Sequence, residues 1–323
     1  MTRGMDLQHL RDELVDACAW GEEVRARELV SKLGTHPRKT KTLLEAMLKE
    51  PDAQVRQAAA FCLGELGGTA SVRLLEQQLA LEEARDDHDG ESVVEAITRA
   101  LGRIKESGAR ATLVRRLERL SASKPGPGDL NTMARALWRR RHPDLLPSVQ
   151  KALEQLDPLS MNSLHGVRLL LGKSPEELRA WIRTPSVPVE HKTEVLTVLD
   201  EELPDELLSL IPAVISVASD LVDTAVSQQG EASYYCERLL LLLLLHKERI
   251  FPALPEEARS VMHAVARRLV ASVAPNCAGR STLLLRWIGQ PDDAALIEAH
   301  RPADPMQAKA FDEAARALRD LRR

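Results

Sequence analysis

Four potential metal ligands stand in a row at Asp86–Asp89, within the segment RDDHDGES. If the segment is aligned as a calcium-binding loop, with Asp89 fifth and Gly90 sixth, Arg85 occupies the first position and Ala96 the twelfth. Both are positions at which such a loop requires a carboxylate ligand. The segment is therefore interpreted as a solvated insertion between two helices, and the sequence predicts neither a metal site nor a cofactor.

A second stretch of chemical interest is VRQAAAFCLGELGG, from Val55 to Gly68, which could be a phosphate-binding loop, a reactive thiol site or an architectural element. A phosphate loop places its glycines between a strand and a helix, and no strand is predicted before this stretch. Cys62 has no Lys, Arg or His beside it in the sequence to lower its pKa, which favours an inert thiol. The architectural interpretation is preferred.

The strongest electrostatic feature is the segment Leu101–Pro143, which contains eleven Lys and Arg residues against three acidic ones. Because the whole chain carries a formal charge of −4 and this segment +8, the remainder carries −12. Such asymmetry predicts a basic patch that attracts an acidic partner or phosphates, unless it is a solvated face or pairs with the acidic stretch Glu76–Glu95. The candidate binding residues are Arg110, Arg115, Arg116, Arg119, Trp138, Arg139, Arg140 and Arg141.

No recognisable catalytic motif is found in the sequence. The chain lacks the H-E-x-x-H, P-loop and G-x-S-x-G patterns. His165 and His263 lie within helical patterns, where a structural, hydrogen-bonded role is favoured over catalysis. The acidic cluster within Asp200–Asp205 is predicted to be a solvated surface at a helix end. We therefore expect a protein without an active site.

The elements that would position these residues are helices arranged in a repeat. Residues Val55–Leu66 superpose on Val93–Ile104 at an offset of 38, which places Gly64 on Gly102. In both segments apolar residues recur at i, i+3, i+4, i+7, i+8 and i+11, the pattern of one helix face. Each such helix follows another, and helix pairs that repeat at roughly 35 to 40 residues are typical of solenoids. Glycine inside a helix costs about 1 kcal/mol relative to alanine, so a close approach of the neighbouring helix is predicted at both glycines.

The segment EPDAQVRQAAAFCLGELGG, with its Pro, Asp, Arg, alanines and closing Leu63–Gly64, resembles the HEAT repeat, specifically its bacterial phycobilisome-lyase-like subtype. The resemblance covers about residues 40–120, and Leu171–Gly172 recovers part of it. It implies an all-α solenoid of stacked antiparallel helix pairs, in which Asp52 and Arg56 link successive repeats. HEAT-like deoxyhypusine hydroxylases hold a di-iron centre with His-Glu dipeptides, but none of the nine histidines here precedes glutamate. Attachment of a bilin chromophore is suggested by the name of the subtype alone.

The domain organisation is expected to be one continuous HEAT-like superhelix, with HEAT-like repeats over residues 1–185 and divergent helical repeats over 186–323. Helix starts are predicted at Ser174–Glu177, which has the pattern of a capping box, and at Asp304–Gln307, which offers the same chemistry. The run Leu239–Leu245 falls short of the roughly 20 residues of a membrane span and is predicted to be a helix buried on all sides. The four cysteines form no C-x-x-C pair, and no signal peptide is expected, so reduced thiols and a cytoplasmic location are predicted.

The preferred function is that of a protein–protein interaction scaffold or adaptor, because solenoids present extended surfaces with little loop machinery for catalysis. The expected partner is another protein with an acidic surface, and no membrane is expected to take part. The alternative is duplex DNA binding through residues 101–143, resembling the HEAT-like alkylpurine DNA glycosylases. In that case Trp138 would stack on a base, whereas in a scaffold it would pack between repeats. The net charge of −4 opposes the DNA alternative, and the oligomeric state is left open.

Overall fold

The computed structural model describes residues 7–85, 87–157 and 162–321, so Asp86 of the acidic segment lies outside the described residues. Within these ranges the chain forms nineteen α-helices and two short 3-10 helices, and no strand is present. The predicted all-α fold is confirmed. By their contacts the helices group into two compact units, Met1–Ser160 and Met161–Arg323.

The described part of the first unit consists of α-helices connected by short turns, with a 3-10 turn at Pro143–Leu145 before the last one. They are α1 (Leu7–Ala19), α2 (Glu23–Gly34), α3 (Pro37–Met47), α4 (Ala53–Leu66), α5 (Gly68–Glu83), α6 (His88–Arg103), α7 (Ser107–Ser121), α8 (Pro127–Arg139) and α9 (Leu146–Gln155). Helices α1, α4, α6 and α8 pack side by side in one layer, and α5, α7 and α9 pack in a second. Successive hairpins thus stack along the unit, as in an α-solenoid.

Two glycines allow the helices of the first layer to approach closely. A Cβ atom on Gly64 would lie 2.8 Å from the Cα atom of Ala100, and a Cβ atom on Gly102 would lie 2.9 Å from the Cα atom of Ala136. No side chain fits at these distances, so glycine is required where α4 meets α6 and where α6 meets α8. The close approach predicted at both positions is confirmed.

The described part of the second unit also consists of α-helices, with a 3-10 helix at Asp205–Leu210. They are α10 (Leu164–Gly172), α11 (Pro175–Arg183), α12 (Val189–Leu199), α13 (Ile211–Ser227), α14 (Glu231–Leu245), α15 (Lys247–Ala253), α16 (Glu256–Leu269), α17 (Pro275–Ile288), α18 (Asp293–Ala299) and α19 (Pro305–Asp320). Helices α10, α12, α14, α17 and α19 pack in one layer, and α11, α13 and α16 in another. The predicted boundary at residues 185/186 and the single superhelix stay predictions.

The capping box predicted at Ser174–Glu177 is present, and Asp304 supplies the N-cap half of the one predicted at Asp304–Gln307. The backbone N–H of Glu177 donates to Ser174 Oγ at 3.2 Å, and the backbone N–H of Ser174 donates to Glu177 Oε2 at 2.8 Å. This reciprocal pair is a complete capping box at the start of α11. At α19, Asp304 Oδ1 accepts from the N–H of Gln307 at 2.9 Å, which satisfies one N–H of the first turn.

The leucine run of α14 is only partly buried. Four of its seven leucines are buried, whereas Leu245 is 57% exposed, so the prediction of a helix buried on all sides is wrong. The reason is that α14 packs against α12, α13 and α17 and keeps one side uncovered. Among the described residues one helical stretch, Asp205–Ser227, is long and apolar enough to cross a membrane, and half of its apolar window is buried in the protein.

Candidate interaction surface

Arg56, predicted to link repeats, is buried at a junction between helices. Its side chain is 2% exposed, and Nε donates to Glu82 Oε1 on α5 at 2.7 Å. One terminal nitrogen also donates to the carbonyls of Glu50 and Pro51, at 2.9 and 2.7 Å. Arg56 thus joins the turn before α4 to the following helix α5. Asp52 caps α4, because its Oδ1 accepts from the N–H of Gln54 at 2.8 Å.

The candidate arginines of α7 pair with carboxylates of the same layer. Arg115 binds Glu76 on α5 with an Nε–Oε1 distance of 3.1 Å, and Arg116 and Arg119 both bind Glu83 at the end of α5. Arg116 is itself buried, and Nε donates to Thr98 Oγ1 on α6 at 3.0 Å. Burial lowers the pKa of Arg116, and the charge of Glu83 opposes that shift.

Arg110, at the other end of α7, binds Asp144 at 2.9 Å, in the 3-10 turn before α9. All four α7 candidates therefore engage acidic side chains of their own unit. Three of these contacts go to the acidic stretch that begins at Glu76, which is the pairing that the sequence left open as an alternative. The α7 arginines bind helices together, and their charges are largely neutralised.

Trp138, Arg140 and Arg141 make contacts within the unit at the end of α8. Trp138 is 2% exposed, so its ring is packed inside the unit and presents no face to a nucleic acid base. The guanidinium of Arg141 lies 5.1 Å from the centre of that ring, a cation–π contact. Arg140 donates to the carbonyl of Ile104 at 2.8 Å, which satisfies an acceptor at the end of α6, and to the carbonyl of Arg139.

Arg103, Arg135 and Arg139 of the basic segment lie, together with Arg99, on the partly exposed side of the first layer. On α4, α6 and α8, partly or fully exposed residues recur every three or four positions, which places them on one side of each helix. Because α6 packs between α4 and α8, the three stripes lie side by side. We call this surface the α4–α6–α8 face and define it by Gln57, Phe61, Glu65, Ser92, Glu95, Arg99, Arg103, Asn131, Arg135 and Arg139.

The α4–α6–α8 face carries four arginines against two glutamates. Arg103 lies 4.9 Å from the centre of the Phe61 ring and 3.2 Å from Glu65, so it bridges α6 to α4. Burial lowers the pKa of Arg103, and Glu65 and Glu23 oppose that shift. Arg135 on α8 keeps a buried Nε that has no hydrogen-bond partner. The face combines a fixed spacing of helices with a net positive charge.

Sequence reasoning missed two buried ion pairs in the second unit. Asp200, predicted to be solvated, is buried and pairs with Arg238 on α14, which corrects that prediction. His263 Nε2 lies 2.7 Å from Oδ2 of the fully buried Asp293, which also binds Arg267. His263 thus has the hydrogen-bonded role that was predicted. Neither pairing has a local signal, because the partners stand about 30 or more residues apart in the sequence.

The described residues bring no metal site together. No three His, Cys, Asp or Glu side chains among them converge in a way that could hold a metal ion. In the acidic segment, Asp87 Oδ1 accepts from the N–H of Gly90 at 2.6 Å and caps α6. Cys62 is fully buried, and burial raises its pKa to about 12, which fits the predicted inert thiol.

The fold defines an all-α solenoid protein, and comparisons with known proteins refine this for one segment. Residues 40–124, which run from within α3 to just beyond α7, match the family of HEAT repeats. Among solved structures, an engineered protein is similar at 15% sequence identity and a TM-score of 0.32, over 96% of this chain and 88% of that one. No curated protein sequence matches the chain.

Proposed function

We propose that this chain is a non-catalytic, cytoplasmic scaffold or adaptor that binds another protein through the α4–α6–α8 face. The observation that carries the proposal is the exposed side of three helices held at a fixed distance by Gly64 and Gly102. Two of these helices lie within the segment that matches HEAT repeats, and such repeats are commonly protein-interaction scaffolds. A rigid face binds with a smaller loss of entropy than a flexible one.

The charge of the α4–α6–α8 face indicates the kind of partner. Arg99 is 62% exposed, and its one ion pair in the described residues is with Glu95 in the preceding turn of α6. The face as a whole carries four arginines against two glutamates, and this formal excess favours a partner with an acidic surface, which the face would attract at long range. The partly exposed Phe61 supplies an apolar contact in the same area.

A photo-crosslinking experiment tests this proposal. A benzoylphenylalanine replaces Phe61 on the face or, as a matched control, the exposed Gln77 on α5. After irradiation in native extract, the Phe61 position should crosslink to one protein in stoichiometric amounts, at an acidic peptide. Arg99→Glu should abolish that crosslink, whereas Arg73→Glu on α5 should leave it unchanged. Equal crosslinking from both positions, or equal loss in both charge variants, would contradict the proposal.

The proposal also includes a family subtype for the HEAT-like segment. The HEAT-like segment is proposed to be of the bacterial phycobilisome-lyase-like subtype, on the basis of the motif from Glu50 to Gly68.

Duplex DNA binding is the weaker candidate function, because the α7 arginines bind Glu76, Glu83 and Asp144 and phosphates would have to displace these carboxylates. A salt-dependent shift of duplex DNA that is lost on replacing Arg139–Arg141 with serine would favour DNA instead.

A further inference from the structure

A cavity in the second unit has arginines on one wall and apolar side chains on the others. Its volume is about 450 Å³, within the range of about 300–1,000 Å³ common for ligand pockets. We call it the α11–α15 groove; it lies between α11, the 3-10 helix Asp205–Leu210 and α15 with the turn that follows. It is lined chiefly by Arg179, Arg183, Leu208, Ile250, Leu254 and Pro255.

The lining of the groove offers no acidic partner to its two arginines. No Asp or Glu is among the residues that line the cavity. Arg179 Nε is buried and has no hydrogen-bond partner, and a buried donor left unpaired is unfavourable. Arg183 is exposed one helical turn further along α11, so both guanidinium groups lie on the same side of that helix. The groove therefore offers donors that a carboxylate would satisfy.

The walls of the groove strengthen such an interaction. Ile250 and Leu254 are buried and, with Leu208 and Pro255, form the apolar part of the lining. A charged hydrogen bond beside apolar walls is less screened by water than one on an open surface. A ligand that combines apolar groups with a carboxylate would match both parts of the lining.

The charge of the surface changes sign beyond Arg183. A neighbouring cavity of about 340 Å³ shares Arg183, Pro212 and Pro255 with the groove and also contains Asp220 and Glu257. The two cavities thus lie side by side, with arginines on one side and carboxylates on the other. An extended chain with an acidic residue at one end suits this arrangement better than a compact anion does.

We infer that the α11–α15 groove binds an apolar peptide segment of a partner protein, with a carboxylate of that segment held by Arg179 and Arg183. This inference rests on the proposed scaffold function and adds a second contact area with its own ligand chemistry. Arginine suits this role because its planar guanidinium donates two parallel hydrogen bonds to a carboxylate.

Peptide selection tests the inference on the full chain. Random peptides displayed on phage are selected against the wild type and against R179Q/R183Q. The matched control is R168Q/R316Q, which removes two exposed arginines of the same unit outside the groove. Wild type and control should enrich peptides that combine apolar residues with Asp or Glu, and R179Q/R183Q should not. R179E/R183E should select basic peptides instead.

Binding measurements on the enriched peptides complete the test. R179Q/R183Q should bind them about 10- to 100-fold more weakly than wild type, the loss expected for charge-assisted hydrogen bonds, while its melting temperature stays unchanged. Peptides without acidic residues, no enrichment on wild type, or equal affinity in both variants would overturn the inference, as would competition by inorganic phosphate alone. If the Phe61 crosslink persists in R179Q/R183Q after such a failure, the proposed function stands without this groove.

Discussion

Replacing Gly64 with alanine tests whether the close contact between α4 and α6 sets the architecture of the first unit. The added Cβ atom would lie 2.8 Å from Ala100 Cα and 2.9 Å from Ala100 Cβ, whereas ordinary van der Waals contact begins at 3.4 Å. The nearest obstacle is a main-chain atom, which no rotation of a side chain can remove. The two helices would therefore have to move apart by several tenths of an ångström along their whole contact.

Two opposing effects decide the sign of the change. Alanine is the better helix former and would stabilise α4 by up to about 1 kcal/mol. Overpacking a tightly packed interface costs about 1–3 kcal/mol, and a clash with the backbone belongs at the upper end of that range. We therefore expect Gly64→Ala to lower the free energy of unfolding by about 1–2 kcal/mol.

The matched control is Gly279→Ala in α17, where an added Cβ atom would meet no atom within 4 Å. There the helix propensity acts alone, and we expect a stabilisation of about 0.5–1 kcal/mol. Urea unfolding followed by circular dichroism compares the midpoints of both variants with that of wild type. Adding Ala100→Gly to the Gly64 variant should restore little of the loss, because the contact with the Cα atom remains and the new glycine costs about 1 kcal/mol within α6. If Gly64→Ala raised the midpoint as the control does, the close-contact explanation would be refuted.

Four further predictions concern individual side chains. Arg56→Met should lower the free energy of unfolding by about 3–5 kcal/mol, because the buried Glu82 loses its guanidinium partner. In urea titrations the double variant Arg56→Met/Glu82→Met should recover most of the lost free energy of unfolding. Burial raises the pKa of Cys18 to about 11 and of the other three cysteines to about 12, so iodoacetamide at about pH 8 should modify them after unfolding and leave the native thiols intact. The same raised values mean that the unfolded chain ionises first, so the free energy of unfolding should fall as the pH rises from 9.0 towards 12 in titrations monitored by circular dichroism. Arg140→Ala should cost about 1 kcal/mol through the lost bond to Ile104 and leave gel shifts of duplex DNA unchanged, and a loss of binding to DNA would contradict this assignment.

The helical repeat was predictable because its signals are local. The spacing of Val55, Ala59 and Cys62 marks one face of a helix, and a glycine in the middle of that face needs a neighbour at close range. The offset of 38 then placed the second such glycine, Gly102, and both contacts are present. In the second unit a close approach occurs at Gly166, where a Cβ atom would lie 2.5 Å from the carbonyl oxygen of Glu194. The partial motif at Leu171–Gly172 did not predict a close contact at Gly166.

Whether a charged residue is solvated or paired was not predictable, because this depends on partners from other helices. A helix that carries Arg110, Arg115 and Arg119 has the composition of a basic surface, and only its packing beside α5 shows that Glu76 and Glu83 take up most of that charge. Asp200 shows the reverse, since it belongs to an acidic run and yet lies buried against a distant arginine.

The net charge of a segment therefore measures what its surface could attract only after the internal pairs are removed. In the basic segment the ion pairs of Arg110, Arg115, Arg116 and Arg119 remove much of the +8 that the sequence shows. In the second unit, Arg179 and Arg183 line a cavity without acidic residues. The net charge of the sequence around them does not indicate this, because Glu176 and Glu177 precede them. Glu177 is occupied in the capping box of α11, so the charge of this helix towards the groove is set by its arginines. In the α11–α15 groove the arginines face a cavity without acidic lining, and the number of arginines in a stretch of sequence does not locate such a site.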